Sequence, residues 1–310
     1  STVTNFIGDI EVPATHTTPD AIQLNKLLAQ MVEHGCTHCF MEVSSHSVVQ
    51  HRIAGLTFAG GLFSNITHDH LDYHKTFDEY IKAKKGFFDA LPSTAFASVN
   101  IDDRNGRVMV QNTSAKVSTY SLRSMADFRC KVIENHLDGM LLSIDGIEVW
   151  TRLIGGFNAY NLLAIYSAAR LLGFDTQDVL TALSVMQPVA GRFEHMKAPN
   201  GVLAVVDYAH TPDALQNVID TINEIRTSEQ RLITVVGAGG NRDKTKRPVM
   251  ARVAVLGSSM VVLTSDNPRF EEPEAILEDM KAGVEPANVG KALTIVDRRE
   301  AIRTACFLAK

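Results

Sequence analysis

The sequence is poor in cysteine, in long apolar runs and in long runs of one charge, and each shortage closes off a class of protein. Four cysteines stand among 310 residues, at positions 36, 39, 130 and 306. They are too few and too unevenly spread for a disulfide scaffold, so a reducing cytoplasm is the expected compartment. Cys36-Thr37-His38-Cys39 has the spacing of half a zinc site, but the sequence holds no second pair to match it. The pair is read instead as part of a buried strand. No stretch approaches the roughly 20 apolar residues that span a bilayer, so no membrane insertion is expected. The opening Ser1-Thr2-Val3-Thr4-Asn5 lacks the layout of a signal peptide. The net charge of -5, without a long basic run, gives no support to nucleic-acid binding. Local basic clusters are still available for a phosphorylated small molecule.

What is present is ordinary soluble composition, 45% hydrophobic and 21% charged, with length enough for one large domain or two medium ones. Strands and helices alternate. Residues 39–43, 62–66 and 95–99 read as buried strands, and 20–34 and 77–90 as helices. That order favours a mostly parallel sheet with helical crossovers. Between about 115 and 155 short alternating runs, broken by Leu137-Asp138-Gly139 and Ile144-Asp145-Gly146, predict a β-rich insertion. Helices follow at 158–172, closed by Gly173, and at 176–186. Residues 187–192 read as a hinge. A fresh series begins after it, with strands at 203–206, 232–236, 260–264 and 293–296, and helices at 212–225, 247–256, 273–281 and from 299. It predicts a second, doubly wound domain with a boundary near 190. Both ends read as cuts rather than natural termini.

Polar residues gather where strands end. Glu42 to Arg52 follows a strand, and in open α/β sheets ligands bind beyond the carboxyl ends of strands. Glu42 could hold a hard cation such as Mg²⁺. Gln50 and Arg52 could hold phosphate or carboxylate oxygens. The plainer alternative is a polar loop with a helix cap at Ser44 or Ser45. Thr67-His68-Asp69-His70-Leu71-Asp72-Tyr73-His74 also follows a strand, and suits a metal or a triphosphate–metal complex as well as a solvated loop. Lys84 shares one helix face with Phe77, Tyr80, Ile81 and Phe88, at spacings of three and four. Burial there would lower its pKa and leave an amine able to take up CO₂ as a carbamate, an oxygen ligand for Mg²⁺. Otherwise the stem lies along the core and the ammonium reaches water.

Asn158 and Asn161 lie on one face of a helix start, where Asn158 alone reads as an N-cap. Asp207 and His210 stand at a strand end ahead of Pro212, which suits a first helical turn. Gly237-Ala238-Gly239-Gly240-Asn241-Arg242 approaches a dinucleotide fingerprint, but the G-x-G-x-x-G spacing fails at Arg242. Arg242 and Arg269, from adjacent βα loops, could clamp a carboxylate together.

Ala14-Thr15-His16-Thr17-Thr18-Pro19-Asp20, the run from Glu42 to Arg52, Asp69 to His74, Asn100-Ile101-Asp102-Asp103, Gly156 to Asn161, Gly191-Arg192-Phe193-Glu194, Asp207 to Asp213 and Asp266-Asn267-Pro268-Arg269 occur in this order along the whole chain. Together they resemble the Mur ligase family. The resemblance implies an α/β fold with a mostly parallel central sheet and a β-rich insertion, over residues 1–189. A Rossmann-like amino-acid-binding domain follows over 190–310, and both would be truncated. It implies an ATP-dependent ligase of peptidoglycan synthesis, with Mg²⁺ as cofactor, from the branch that adds meso-diaminopimelate to UDP-N-acetylmuramoyl-L-alanyl-D-glutamate. Thr17, Thr18, Ser44, Gln50 and Arg52 would hold the UDP precursor. Glu42, His70 and the carbamate of Lys84 would ligate Mg²⁺ and carry the catalysis. Asn158, Asn161, Arg192, Asp207 and His210 would surround ATP. Arg242, Asp266, Asn267, Pro268 and Arg269 would receive the amino acid, Arg269 matching the extra carboxylate that lysine lacks.

The family's P-loop, of the G-x-x-G-K-S/T kind, occurs nowhere in the sequence and is expected ahead of Ser1. A Gly-Lys-Gly-His-Glu motif is expected beyond Lys310. The fragment alone is therefore expected to be inactive. The alternatives are a lysine-adding or folylpolyglutamate synthetase-like member of the family, or a non-catalytic fragment with residual nucleotide binding.

Overall fold

A computed structural model describes residues 4–14, 16–67 and 71–309. In chain order the elements are β1 (Thr4–Ile7), β2 (Ile10–Pro13), α1 (Ala21–Glu33), α2 (Ser45–Val49), β3 (Gly60–Phe63), α3 (Leu71–His74), α4 (Phe77–Asp89), β4 (Phe96–Asn100), α5 (Gly106–Met109), β5 (Lys116–Ser121), β6 (Phe128–His136), β7 (Gly139–Ile144), β8 (Ile147–Thr151), α6 (Gly156–Leu171), α7 (Thr176–Val185), β9 (Glu194–Lys197), β10 (Leu203–Val206), α8 (Pro212–Ile225), β11 (Ile233–Val236), α9 (Lys246–Gly257), β12 (Met260–Leu263), α10 (Pro273–Lys281), β13 (Ala292–Thr294) and α11 (Arg298–Leu308). The chain forms two compact units, Ser1–Cys130 with Tyr160–Val179, and Lys131–Ala159 with Leu180–Lys310.

In the first unit β3, β4, β5 and the start of β6 pair in parallel, Phe63 opposite Val99 and Val99 opposite Thr119. Ala97 and Val99 are fully buried, and Phe63, Phe87, Phe88 and Leu91 pack on them. Parallel strands covered on both faces read as continuous apolar runs, which is why 95–99 was legible. The helices carry their own start signals. Asp20 caps α1 through the amides of Ile22 and Gln23, and Thr76 caps α4 through Glu79. Asp102 accepts from the Ser121 hydroxyl, the Leu122 and Arg123 amides and the Tyr160 hydroxyl. Partial burial alone would raise its pKa, but these hydrogen bonds outweigh that and hold the carboxyl below its ordinary range. Burial, and after it the contact with Asp102, pushes the Tyr160 hydroxyl up to about 12.

In the second unit β7 and β8 form an antiparallel hairpin. Its two-residue turn, Asp145-Gly146, has both φ angles positive (49° and 87°), the conformation that matches strand twist and favours Asp-Gly. The later βα series builds a parallel sheet in the order β11-β12-β13. Val261, Val262 and Leu263 are fully buried, with α9 and α10 supplying Met250, Ala251, Ala254, Ile276 and Met280. One expected strand pairs outside this sheet and another is shifted. β10 pairs antiparallel with β9, a strand not anticipated from the sequence. β13 spans 292–294, shorter and earlier than the predicted 293–296.

One strand expectation fails. Residues 39–43 form no strand, and Phe40 is 74% exposed. An extended segment becomes a strand only when a neighbouring strand takes its backbone groups, and no strand among the described residues pairs with it. The cysteine pair shares this outcome: Cys36 is half-buried and Cys39 exposed, both as free thiols, rather than buried strand positions.

Candidate functional site

In the first unit the run after residue 42 folds into a capped turn. The Ser44 hydroxyl accepts from the Ser47 amide and opens α2. Thr18 is fully buried; its hydroxyl donates to the Glu42 carbonyl (2.8 Å) and accepts from the Ser44 amide (3.2 Å). Arg52 ties the same two segments together. Its Nη1 donates to the Thr18 carbonyl (2.8 Å), and its Nε and Nη2 grip the Gln50 Oε1 (2.9 and 2.6 Å). Gln50 in turn donates to the Tyr73 hydroxyl (3.2 Å). A cleft of about 350 Å³ opens here, lined by His16, Asp20, Ala21, Gln23, Gln50 and Arg52. Thr18, Ser44, Gln50 and Arg52 are thus brought together. His16, Asp20 and Gln23 join them as cleft-lining residues that sequence reading did not single out, although His16 and Asp20 lie in the Ala14–Asp20 motif.

Lys84 lies on the predicted face of α4, half-buried, with its ammonium 5.3 Å from the centre of the Tyr80 ring. Tyr80 stacks on His74 at 5.2 Å, and His74 Nε2 is 2.8 Å from the Ser45 hydroxyl. His74 is therefore a buried, engaged histidine on a helical turn, not part of a solvated loop. His70 lies outside the described residues, as do His68 and Asp69. Among the described residues no group of three His, Cys, Asp or Glu side chains could hold a metal.

In the second unit Asp207 ends β10 and closes its own loop, accepting from the Phe193 amide and the Ala209 amide (2.8 Å each). Arg192 lays its guanidinium 4.7 Å from the centre of the half-exposed Tyr208 ring, and Tyr208 lies 5.3 Å from the His210 ring. His210 Nδ1 sits 3.0 Å from the Tyr208 carbonyl. Tyr208 is the addition here: an exposed aromatic between two named site residues, visible in the sequence but not weighed. Asn158 is not the cap of α6. The helix starts at Gly156, and Asn158 instead donates to the Ile154 carbonyl (2.8 Å). Asn161, on the stretch of α6 that belongs to the first unit, is exposed.

The β11–α9 and β12–α10 loops meet. The Gly240 amide donates to the Asn267 carbonyl (2.9 Å), Arg269 Nη1 donates to the Gly240 carbonyl (2.7 Å), and the Phe270 amide donates to the Asn241 Oδ1 (3.0 Å). A Cβ on Gly240 would sit 1.9 Å from the Pro268 carbonyl oxygen, so only glycine allows the approach. A Cβ on Gly239 would lie 2.9 Å from Arg269 Nη1 and 3.9 Å from Arg242 Cγ; the two arginines therefore flank one backbone position. Asp266 lies 4.0 Å from Arg298.

Behind the loops sits a cluster that the sequence reading missed. Arg247, 1% exposed, is held by Glu271 and Asp279. The signal was available: α9 buries 247, 250, 251, 254 and 255, so Arg247 occupies an apolar stripe as Lys84 does. Arg247, then the Asn241 amide and Lys244, hold the Glu271 carboxyl down at about 2, against an ordinary 4.5. A carboxyl depressed on folding contributes stability above its ordinary pKa and loses it as pH falls toward the folded value. We expect the acid limb of thermal unfolding between pH 4.5 and 2 to be steeper for the native protein than for Glu271→Gln, measured by circular dichroism at stepped pH.

The β11–α9 and β12–α10 loops lie at the carboxyl ends of parallel strands in an α/β unit, the place where open sheets of this class bind ligands. The Mur ligase middle domain matches residues 1–169, and the Mur ligase glutamate ligase domain matches residues 191–310. The chain belongs to the Mur ligase family. It is 60% identical over 310 residues to a UDP-N-acetylmuramoyl-L-alanyl-D-glutamate–2,6-diaminopimelate ligase of Phocaeicola vulgatus, covering all of this chain and 64% of the relative. It is 62% identical over 309 residues to the protein of that name from Cytophaga hutchinsonii, covering all of this chain and 63% of the relative. A solved structure of a ligase with the same name matches 99% of this chain and 64% of its own, at 35% identity and a TM-score of 0.66. The chain spans just under two-thirds of the length of these relatives. No helix among the described residues is long and apolar enough to cross a membrane.

Proposed function

We propose that the whole protein is a cytoplasmic, ATP-dependent ligase that adds meso-diaminopimelate to UDP-N-acetylmuramoyl-L-alanyl-D-glutamate in peptidoglycan synthesis. The observation that carries this reading is the pair of interlocked loops that set Arg242 and Arg269 beside Gly239. An arginine pair on these two loops suits an amino acid with a carboxylate at its far end. The names of the relatives support the same substrate. Domains divided near residue 190 fit the extents of the two family matches.

The reaction has two stages. ATP phosphorylates the side-chain carboxylate of D-glutamate, and the amine of meso-diaminopimelate then attacks the acyl phosphate, releasing phosphate. Gln50 and Arg52 would grip anionic oxygens of the UDP precursor, with Thr17, Thr18 and Ser44 shaping their loop. Arg192, Asp207, His210, Asn158 and Asn161 would line the nucleotide. Arg242 and Asp266 to Arg269 would orient the incoming amino acid, so that its amine rather than water meets the acyl phosphate. For Mg²⁺ the fit is one of donor chemistry. Glu42 offers a carboxylate, and Lys84 an oxygen only once carbamylated; with His70 these residues would hold the ion. Mg²⁺, when bound, supplies neutralisation of charge on the transferring phosphoryl group.

The test is phosphate release by the protein at its natural length. It should require ATP, the UDP dipeptide precursor and meso-diaminopimelate together. Release unaffected by meso-diaminopimelate would overturn the reading. The 310-residue chain contains no P-loop, and on its own it should release none.

A further inference from the structure

Arg247 does not reach the surface, yet it organises the loops that do. Its Nη2 donates to Glu271 Oε1 (2.8 Å) and to the Gly239 carbonyl (3.3 Å). Its Nη1 donates to Glu271 Oε2 (3.0 Å) and Asp279 Oδ2 (2.8 Å). Its buried Nε meets no acceptor among the described residues. Glu271 completes the link by accepting from the Asn241 amide and from Lys244 (3.1 Å). One guanidinium thus holds the carbonyl before Gly240, and through Glu271 the amide after it, while Glu271 itself stands two residues beyond Arg269.

A buried guanidinium with an unsatisfied nitrogen, paired with carboxylates that are 16% and 44% exposed, is a poor way to gain stability. Desolvating its charges roughly cancels their attraction, and an apolar residue of similar size would serve as well. What such a cluster does fix is geometry. Asn241 and Arg269 both hold left-handed backbone, with φ of 51° each, a conformation that costs about 1 kcal/mol or more in residues other than glycine and persists only where the surroundings enforce it. The cluster supplies that enforcement from beneath.

We propose that Arg247 and Glu271 are positioning residues that set the spacing of the Arg242 and Arg269 guanidiniums, and so the preference for an amino acid with a distal carboxylate. This rests on the functional reading above. Neither residue touches substrate. They act through the two loops, as a supporting layer does for groups that bind directly.

The experiment measures kcat and KM for meso-diaminopimelate, L-lysine, ATP and the UDP precursor in the enzyme at its natural length. The variants are Arg247→Met and the milder Glu271→Gln, which keeps side-chain shape and leaves Arg247 its Asp279 partner. For Glu271→Gln the KM for meso-diaminopimelate should rise at least tenfold. Its preference over lysine should fall by a similar factor, while KM for ATP and precursor stays within about twofold. Arg247→Met should do the same more strongly, and if it fails to fold, Glu271→Gln carries the test alone. A parallel change in all substrates with undiminished preference would show a merely structural cluster and overturn the proposal. A native enzyme indifferent to meso-diaminopimelate would instead overturn the functional reading, and this role with it.

Discussion

Arg269→Asn in the enzyme at its natural length is expected to lower kcat/KM for meso-diaminopimelate by about 10- to 150-fold, the equivalent of one hydrogen bond to a charged group at about 1.5–3 kcal/mol. The value for L-lysine, which has no distal carboxylate, should move by less than about threefold. The choice of asparagine matters. Arg269 sits at φ 51°, and asparagine tolerates that region better than alanine, so the variant removes the guanidinium without adding backbone strain. Arg269→Lys should rescue little, because a lysine is a point charge without the planar fork. The donor to the Gly240 carbonyl is lost in either variant. A loss shared equally by both amino acids would mean that Arg269 only holds its loop, and would remove the central support for the proposed substrate. Comparison of the two amino acids in one phosphate-release assay checks this.

Lys84→Ala should be the most damaging single change, with kcat down by at least about 100-fold and binding of the UDP precursor kept within a few-fold. The Lys84 ammonium lies 5.3 Å from the centre of the Tyr80 ring, a cation–π contact made by the ammonium. Carbamylation requires the neutral amine, so it competes with that contact. Activity of the native enzyme should therefore fall when CO₂ is stripped from the buffer and return when bicarbonate is added, whereas Lys84→Ala should ignore bicarbonate. Lys84→Arg keeps the charge but forms no carbamate, and should be as inactive as the alanine variant. Full activity in that variant would sink the role assigned to Lys84.

Local rules went far in this chain. The helix at 212–225 could be read to its exact ends, because Thr211 caps it, Pro212 fits its first turn and an apolar stripe continues to Ile225. Asp145-Gly146 announced a hairpin turn for the reason that only such residues take its backbone angles without strain. The run at 95–99 was legible because a parallel strand buried on both faces needs apolar residues throughout. Residues 39–43 carried the same apolar signal and form no strand. Apolar content shows that a segment prefers burial; it cannot show that a neighbouring strand is there to accept its hydrogen bonds. β9 was missed for the opposite reason, since Glu194-His195-Met196-Lys197 has no apolar run and becomes a strand only because β10 lies beside it.

The site divides in the same way. Sequence order alone placed Ser44, Gln50, Arg52, Asp207, His210, Arg242 and Arg269 in loops following strand-like runs, the types of Gln50, Arg52, Arg242 and Arg269 argued for anionic oxygens, and Thr18 entered through the family resemblance. Side-chain chemistry and motif order are properties of the chain as written. Only the folded structure decided that Arg52 reaches across 34 residues to the Thr18 carbonyl, that Arg192 lies over Tyr208, and that Arg247 ties Gly239 to Glu271. Those contacts join positions far apart in the chain, and their energies depend on distance and burial, which a linear order does not contain.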